Sequence, residues 1–123
     1  MIASENSFSK AERLKQPAEF RGILRNARSI RENGVSLYFL ENASTNKNRL
    51  GVVVSKRIFK RAVDRNRVKR ITREFFRSNK PKLQANFDFV VKIIDGSKLF
   101  DDNNLEKSLN HLFHRVGAAR SGE

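Results

Sequence analysis

Residues 56–77, KRIFKRAVDRNRVKRITREFFR, set ten lysines and arginines against two acids, Asp64 and Glu74. Ten basic against two acidic residues is +8, most of the +13 carried by the whole chain. A guanidinium presents a planar fork of donors that matches phosphate oxygens, and several along one helix can follow a nucleic-acid backbone. An ordinary solvated helix face mixes signs, with acids placed four residues from bases, and here only Glu74 falls among the cations. A membrane-surface helix would turn its apolar side to lipid, whereas this segment lies between two strands that need it as a cover. Asn66, between Arg65 and Arg67, both donates and accepts. It can contact a base edge, a sugar hydroxyl or a neighbour, or it can be an exposed or capping residue near a helix start.

Other groups capable of chemistry are scattered. A protein nuclease needs a cage of carboxylates for metal or a histidine-based acid/base pair. Asp101 and Asp102 are adjacent at an expected helix start, where capping explains them. Asp88 stands alone among core residues of a strand, and His111 and His114 fall on the polar side of the last helix. The chain has no cysteine, which removes disulfides, thiolate metal sites and cysteine nucleophiles.

The elements that must hold the basic segment can be read from periodicity. At 100° per residue, Val68, Ile71, Thr72, Phe75 and Phe76 share one side of a helix over 61–77. Asn66, Arg67, Lys69, Arg70, Arg73 and Arg77 share the other, with Arg65 at the boundary. Upstream, Pro17 suits a first helical position, and Phe20, Ile23, Leu24 and Ala27 form one stripe. A turn at Asn33-Gly34 precedes a strand over 35–40, with a short extra strand around 27–31. Val35, Leu37 and Phe39 point one way, and Ser36, Tyr38 and Leu40 the other. Residues 41–48 read as a polar, hairpin-like loop. Residues 50–55 read as a strand buried on both faces, and 87–94 as a further strand. Residues 78–86 connect to the latter. Leu105, Leu109, Leu112, Phe113 and Val116 form the stripe of a final helix, capped by Asp101 or Asp102 and stopped by Gly117.

The order is α-β-β-β-α-β-α, an α+β two-layer sandwich of about four mixed strands and three helices. The strand–helix–strand unit over 50–94 makes those two strands parallel. At 123 residues the chain is one domain. It reads as a loose segment over 1–12 with an anchor at Phe8, a folded body over 13–116 and a frayed tail over 117–123. No apolar run reaches the roughly 18 residues of a membrane span, and the N-terminus lacks the apolar stretch of a signal peptide. A soluble, cytoplasmic, nucleic-acid-binding protein is expected, with no membrane role.

The run RLGVVVSKR followed by RAVDRNRVKRITREFF closely resembles the RNR signature of the bacterial ribonuclease P protein component. The likeness extends through RLKQPAEF, the strand with Leu37-Tyr38 and the helix LEKSLNHLF, over most of 12–115. It implies a left-handed βαβ crossover around the RNR helix, a fold shared with a ribosomal protein domain. It also implies the small subunit of a ribonucleoprotein whose RNA performs the cleavage, removing the 5′ leader from precursor tRNA. By that resemblance Arg65, Asn66, Arg67, Lys69 and Arg70 face the catalytic RNA, with Arg61 and Arg73 assisting. The leader lies between the first helix and the sheet, against Phe20 and Tyr38, with Lys56 and Arg57 at the cleft edge. Leu24 stands where some members carry a second aromatic. It keeps the apolar wall but gives up a stacking platform.

No catalytic residue is expected in the protein. Mg²⁺ is expected to be held mainly by the RNA, since phosphate oxygens suit a hard cation. The partners implied are the catalytic RNA and precursor tRNA, with a monomeric protein. The rival readings are a ribosomal-type RNA-binding protein of related fold, a stand-alone nuclease and a DNA regulator. The last fits poorly, because no helix-turn-helix spacing is present.

Overall fold

The computed structural model describes residues 13–14, 17–42, 48–79, 87–96 and 102–121, with side chains of the last helix over 104–116. The expectations for residues 1–12, for Phe8, for most of the loop at 41–48, for the connector before residue 87 and for a cap at Asp101 lie outside these residues. The elements are α1 (Pro17–Asn26), β1 (Arg28–Glu32), β2 (Val35–Glu41), β3 (Arg49–Val53), α2 (Ala62–Asn79), β4 (Phe87–Ile93) and α3 (Asp102–Ser121). That is the expected order.

The sheet runs β1-β2-β4-β3, with β1/β2 and β2/β4 antiparallel and β3/β4 parallel. β4 takes a central place beside β2, and every residue of β4 is buried except Lys92. Because β4 lies between β2 and β3, residues 41–48 do not close a hairpin, contrary to the reading of their polarity. β3 is likewise an edge strand, not a fully buried one: Leu50 and Gly51 are buried but Val52 and Val53 only half so. Its β-branched run reflects helices packed on both faces. Its outer edge is met by residue 13, which bridges Leu50 in parallel, while the Leu14 N–H donates to the Leu50 carbonyl at 3.0 Å. Backbone pairing of this kind blunts an edge against unwanted strands.

β1 and β2 are joined by the two-residue turn at Asn33 (φ 48°) and Gly34 (φ 84°), both left-handed as a hairpin turn of this length requires. A side chain on Gly34 would also collide with the Asp95 carbonyl.

Strand alternation divides the core between the two faces. Val35, Leu37, Phe39, Leu50, Phe89 and Val91 meet Val68 and Phe76 of α2 and the whole α3 stripe from Leu105 to Val116. Phe89 is gripped by Phe76, Phe87 and Phe113, with ring centroids 6.2, 5.6 and 4.9 Å away. The opposite face carries α1, whose Ile23 packs with Leu14 and Val90 beside Phe20, Leu24, Tyr38 and Val53. The helix α3 does not stop at Gly117 but continues to Ser121. A glycine inside a helix costs about 1 kcal/mol and does not break it, and two alanines follow.

Candidate nucleic-acid interface

α2 is fixed by its buried residues and presents what remains. Val68, Thr72 and Phe76 are buried on one line, and the Thr72 Oγ1 hydroxyl donates to the Val68 carbonyl at 2.8 Å. Asn66, Arg67 and Arg70 are exposed on the far side, as the helical wheel requires, while Lys69 and Arg73 are half-buried on its flank. The Asn66 side chain makes no hydrogen bond among the described residues, so it does not cap the helix. Val63, 58% exposed, lies on the same outer face. The two acids are already engaged at the ends of this ridge. Glu74 accepts from Arg77 at 2.9 Å, and Asp64 lies 4.0 Å from Arg61, just ahead of the helix.

Arg65 differs from its neighbours. Its Nη1 donates to the carbonyls of Phe59 and Lys60, both at 2.9 Å, so it holds the chain's entry into α2. The entry loop is itself a turn in which the Ser55 carbonyl accepts from the N–H groups of Ile58 and Phe59 at 3.2 Å each. Ile58 and Phe59 pack against the core, which leaves Lys56 and Arg57 exposed at the tip. Gly96 admits them: a Cβ there would lie 2.8 Å from the Phe59 ring.

Arg73 has its pKa lowered, first by burial and then by the charge of Arg13. The segment paired with the edge of β3 thus adds a positive charge that is felt at Arg73. Sequence reading assigned Arg13 no role, because only the β3 pairing brings it there.

The second set of expected residues gathers on the other face of the sheet. Phe20, Leu24 and Tyr38 are all half-buried in the cluster around Ile23 and Val90. The Phe20 ring lies directly on Gly51, where a Cβ would overlap the ring. One end of α1 is tethered by charge. Arg49 donates to Asp88 from Nε and Nη2, each at 2.8 Å, and to Glu19 of α1 from Nη1 at 2.7 Å. The Asn42 amide adds a bond to Asp88 Oδ1 at 3.0 Å. These partners, with Asp88 first, raise the Arg49 pKa and keep its charge secure. This network was not foreseen. The one signal for it was a single acid in an apolar strand, since a buried carboxylate requires a partner.

Asp88 belongs to the tether, His111 Nδ1 lies 2.9 Å from Glu32 Oε1, and His114 is exposed on α3. The structure thus puts the arginine ridge and the α1 cleft on opposite faces of one sheet, with β3 and the 55–60 turn between them.

Known proteins resemble this chain both in sequence and in fold. The family Ribonuclease P matches residues 8–117. The ribonuclease P protein component of Coxiella burnetii (strain Dugway 5J108-111) is 41% identical over 112 residues, covering 91% of each chain. That of Pseudoalteromonas atlantica is 38% identical over 112 residues, covering 91% of this chain and 92% of its own. The Staphylococcus aureus RNase P protein superimposes with a TM-score of 0.80 at 30% identity, over 87% of this chain and 96% of that one. The Thermotoga maritima protein gives 0.72 at 30% identity, over 85% and 96%. With the family model spanning residues 8–117 and relatives of this identity covering most of the chain, this protein belongs to the ribonuclease P protein family.

Proposed function

We propose that the chain is the protein subunit of ribonuclease P, binding the catalytic RNA and the 5′ leader of precursor tRNA while the RNA performs the cleavage. The observation that carries this reading is the exposed face of Asn66, Arg67 and Arg70, flanked by Lys69 and Arg73 and fixed to the sheet by Val68, Thr72 and Phe76. Its charges neutralise phosphates of the catalytic RNA and relieve backbone repulsion in the folded RNA. Arg61 extends the ridge, and Arg65 shapes it while adding charge.

The leader lies against the α1 face. Single-stranded RNA is bound by stacking on aromatic rings beside a cationic track, and Phe20 and Tyr38 supply the rings, Leu24 an apolar wall, and Lys56 and Arg57 the track. The Mg²⁺ used in cleavage is held mainly by RNA phosphates. The protein acts as a monomer within the ribonucleoprotein, in the cytoplasm.

The test is incubation of the pure protein with precursor tRNA, with and without the catalytic RNA. Cleavage is expected only when the RNA is present, with the protein lowering the Mg²⁺ needed. Cleavage by the protein alone would overturn the assignment. Phe20→Ala and Tyr38→Ala should weaken binding of leader-bearing substrate more than of mature tRNA.

A further inference from the structure

Ser36 is the middle residue of a row that crosses the sheet. It pairs with Arg31 of β1 on one side and Lys92 of β4 on the other. The row lies two residues along from Ser29, Tyr38 and Val90, so all three side chains emerge on the α1 face. Lys92 is in turn paired with Val53, the last residue of β3, and the chain then leads into the turn that exposes Lys56 and Arg57. The row therefore sits one step beyond Tyr38, toward the cationic rim.

Three properties distinguish it. Lys92 is the only charged residue of β4 other than Asp88, and unlike Asp88 it has no ion-pair partner among the described residues. The Arg31 guanidinium has none there either, although its backbone carbonyl accepts from Arg115 of α3 at 3.2 Å. Ser36, between them, is 0% exposed and its Oγ lacks a hydrogen-bond partner among the described residues. A buried hydroxyl without a partner is uncommon and asks for an explanation. Adjacent strands lie about 4.8 Å apart, so the two cations spring from points about 10 Å apart and can converge on one anion above the serine.

We infer that Arg31, Ser36 and Lys92 form a phosphate subsite for the single-stranded leader, on the sheet floor next to Tyr38. Arg31 and Lys92 make the primary contacts. Ser36 Oγ turns to the anion once the two long side chains have drawn toward it. The subsite rests on the proposal that the leader occupies the α1 face. It adds to that proposal a backbone contact in register with the base stacked at Tyr38, and it makes the floor of the cleft cationic as well as its rim.

The experiment uses the holoenzyme reconstituted with catalytic RNA and measures the Kd for leader-bearing precursor and for mature tRNA over a range of salt. Lys92→Met and Arg31→Met, which keep an apolar stem, should each weaken leader-bearing substrate about 5-fold and leave mature tRNA unchanged. The slope of log K against log salt should fall by about 0.7 for each single-strand phosphate that is no longer neutralised. A leader carrying one methylphosphonate linkage, moved along the chain, should weaken binding to the wild-type holoenzyme at one position. At that position it should have no effect on the Arg31→Met/Lys92→Met holoenzyme. Unchanged leader affinity and salt slope in a folded Arg31→Met/Lys92→Met double variant would overturn the subsite. If Tyr38→Ala still loses leader discrimination in that case, the leader reading stands and only the subsite falls. If Phe20→Ala and Tyr38→Ala also leave discrimination intact, the leader reading itself falls.

Discussion

Arg49 and Asp88 meet fork to fork across β3 and β4, two nitrogen–oxygen contacts of 2.8 Å between residues that are also partners in the parallel register. The Asp88 side chain is 7% exposed and that of Arg49 23%, so the carboxylate depends on this partner for most of its solvation. Arg49→Met should cost about 3 kcal/mol, the lower end for removing one partner of a buried pair, because the remaining charge is left without compensation. Urea unfolding measures it. A cost under about 1 kcal/mol would mean that Asn42 and water suffice. Since Arg49 also holds Glu19, the same variant should lose part of its preference for leader-bearing substrate at temperatures where it remains folded.

Gly51 and Phe20 make the second fixed point of α1. Gly51→Ala should destabilise the protein by about 1–3 kcal/mol, as overpacking does when backbone and ring must separate. Combining it with Phe20→Leu should cost less than the sum of the two single changes. A double-mutant cycle of thermal unfolding checks this, and strict additivity would show that the ring does not rest on the glycine.

The arginines of α2 should separate into two classes. Arg67→Ala and Arg70→Ala lie on exposed positions and should change stability by no more than about 0.5 kcal/mol. Together they should weaken assembly with the catalytic RNA and reduce the salt slope by about 0.9 for each duplex phosphate they had neutralised. Arg65→Ala should do both kinds of damage, because the carbonyls of Phe59 and Lys60 lose their donor. Paired measurements of melting temperature and RNA affinity distinguish the classes. Normal assembly by a folded Arg67→Ala/Arg70→Ala protein would remove the ridge from the interface.

Gly117 lies inside α3, so Gly117→Ala should stabilise the protein by about 0.5–1 kcal/mol through helix propensity. A glycine that ended the helix in a left-handed conformation would give the opposite sign. Chemical denaturation decides between them.

Much of this protein was legible in its sequence because the signals are local. The stripe of Val68, Thr72 and Phe76 set which way α2 faces, and hence that Asn66, Arg67 and Arg70 point outward, since a 3.6-residue period admits only one buried side. The alternation from Val35 to Leu40 likewise assigned Leu37 and Tyr38 to opposite faces. Strand neighbours were not legible in the same way. That β4 separates β2 from β3 follows from which strand gains most by central burial, a comparison over the whole sheet that no window of residues contains. From that one placement come the Arg49–Asp88 pair, the seat of Phe20 on Gly51, the approach of Arg13 to Arg73 and the row of Arg31, Ser36 and Lys92. The sequence alone determined the chemistry of the basic helix and the identity of its buried side. The tertiary structure alone decided that the helix and the α1 cleft lie on opposite faces of one sheet, because long-range pairing brings together residues whose separation along the chain carries no sign of their contact.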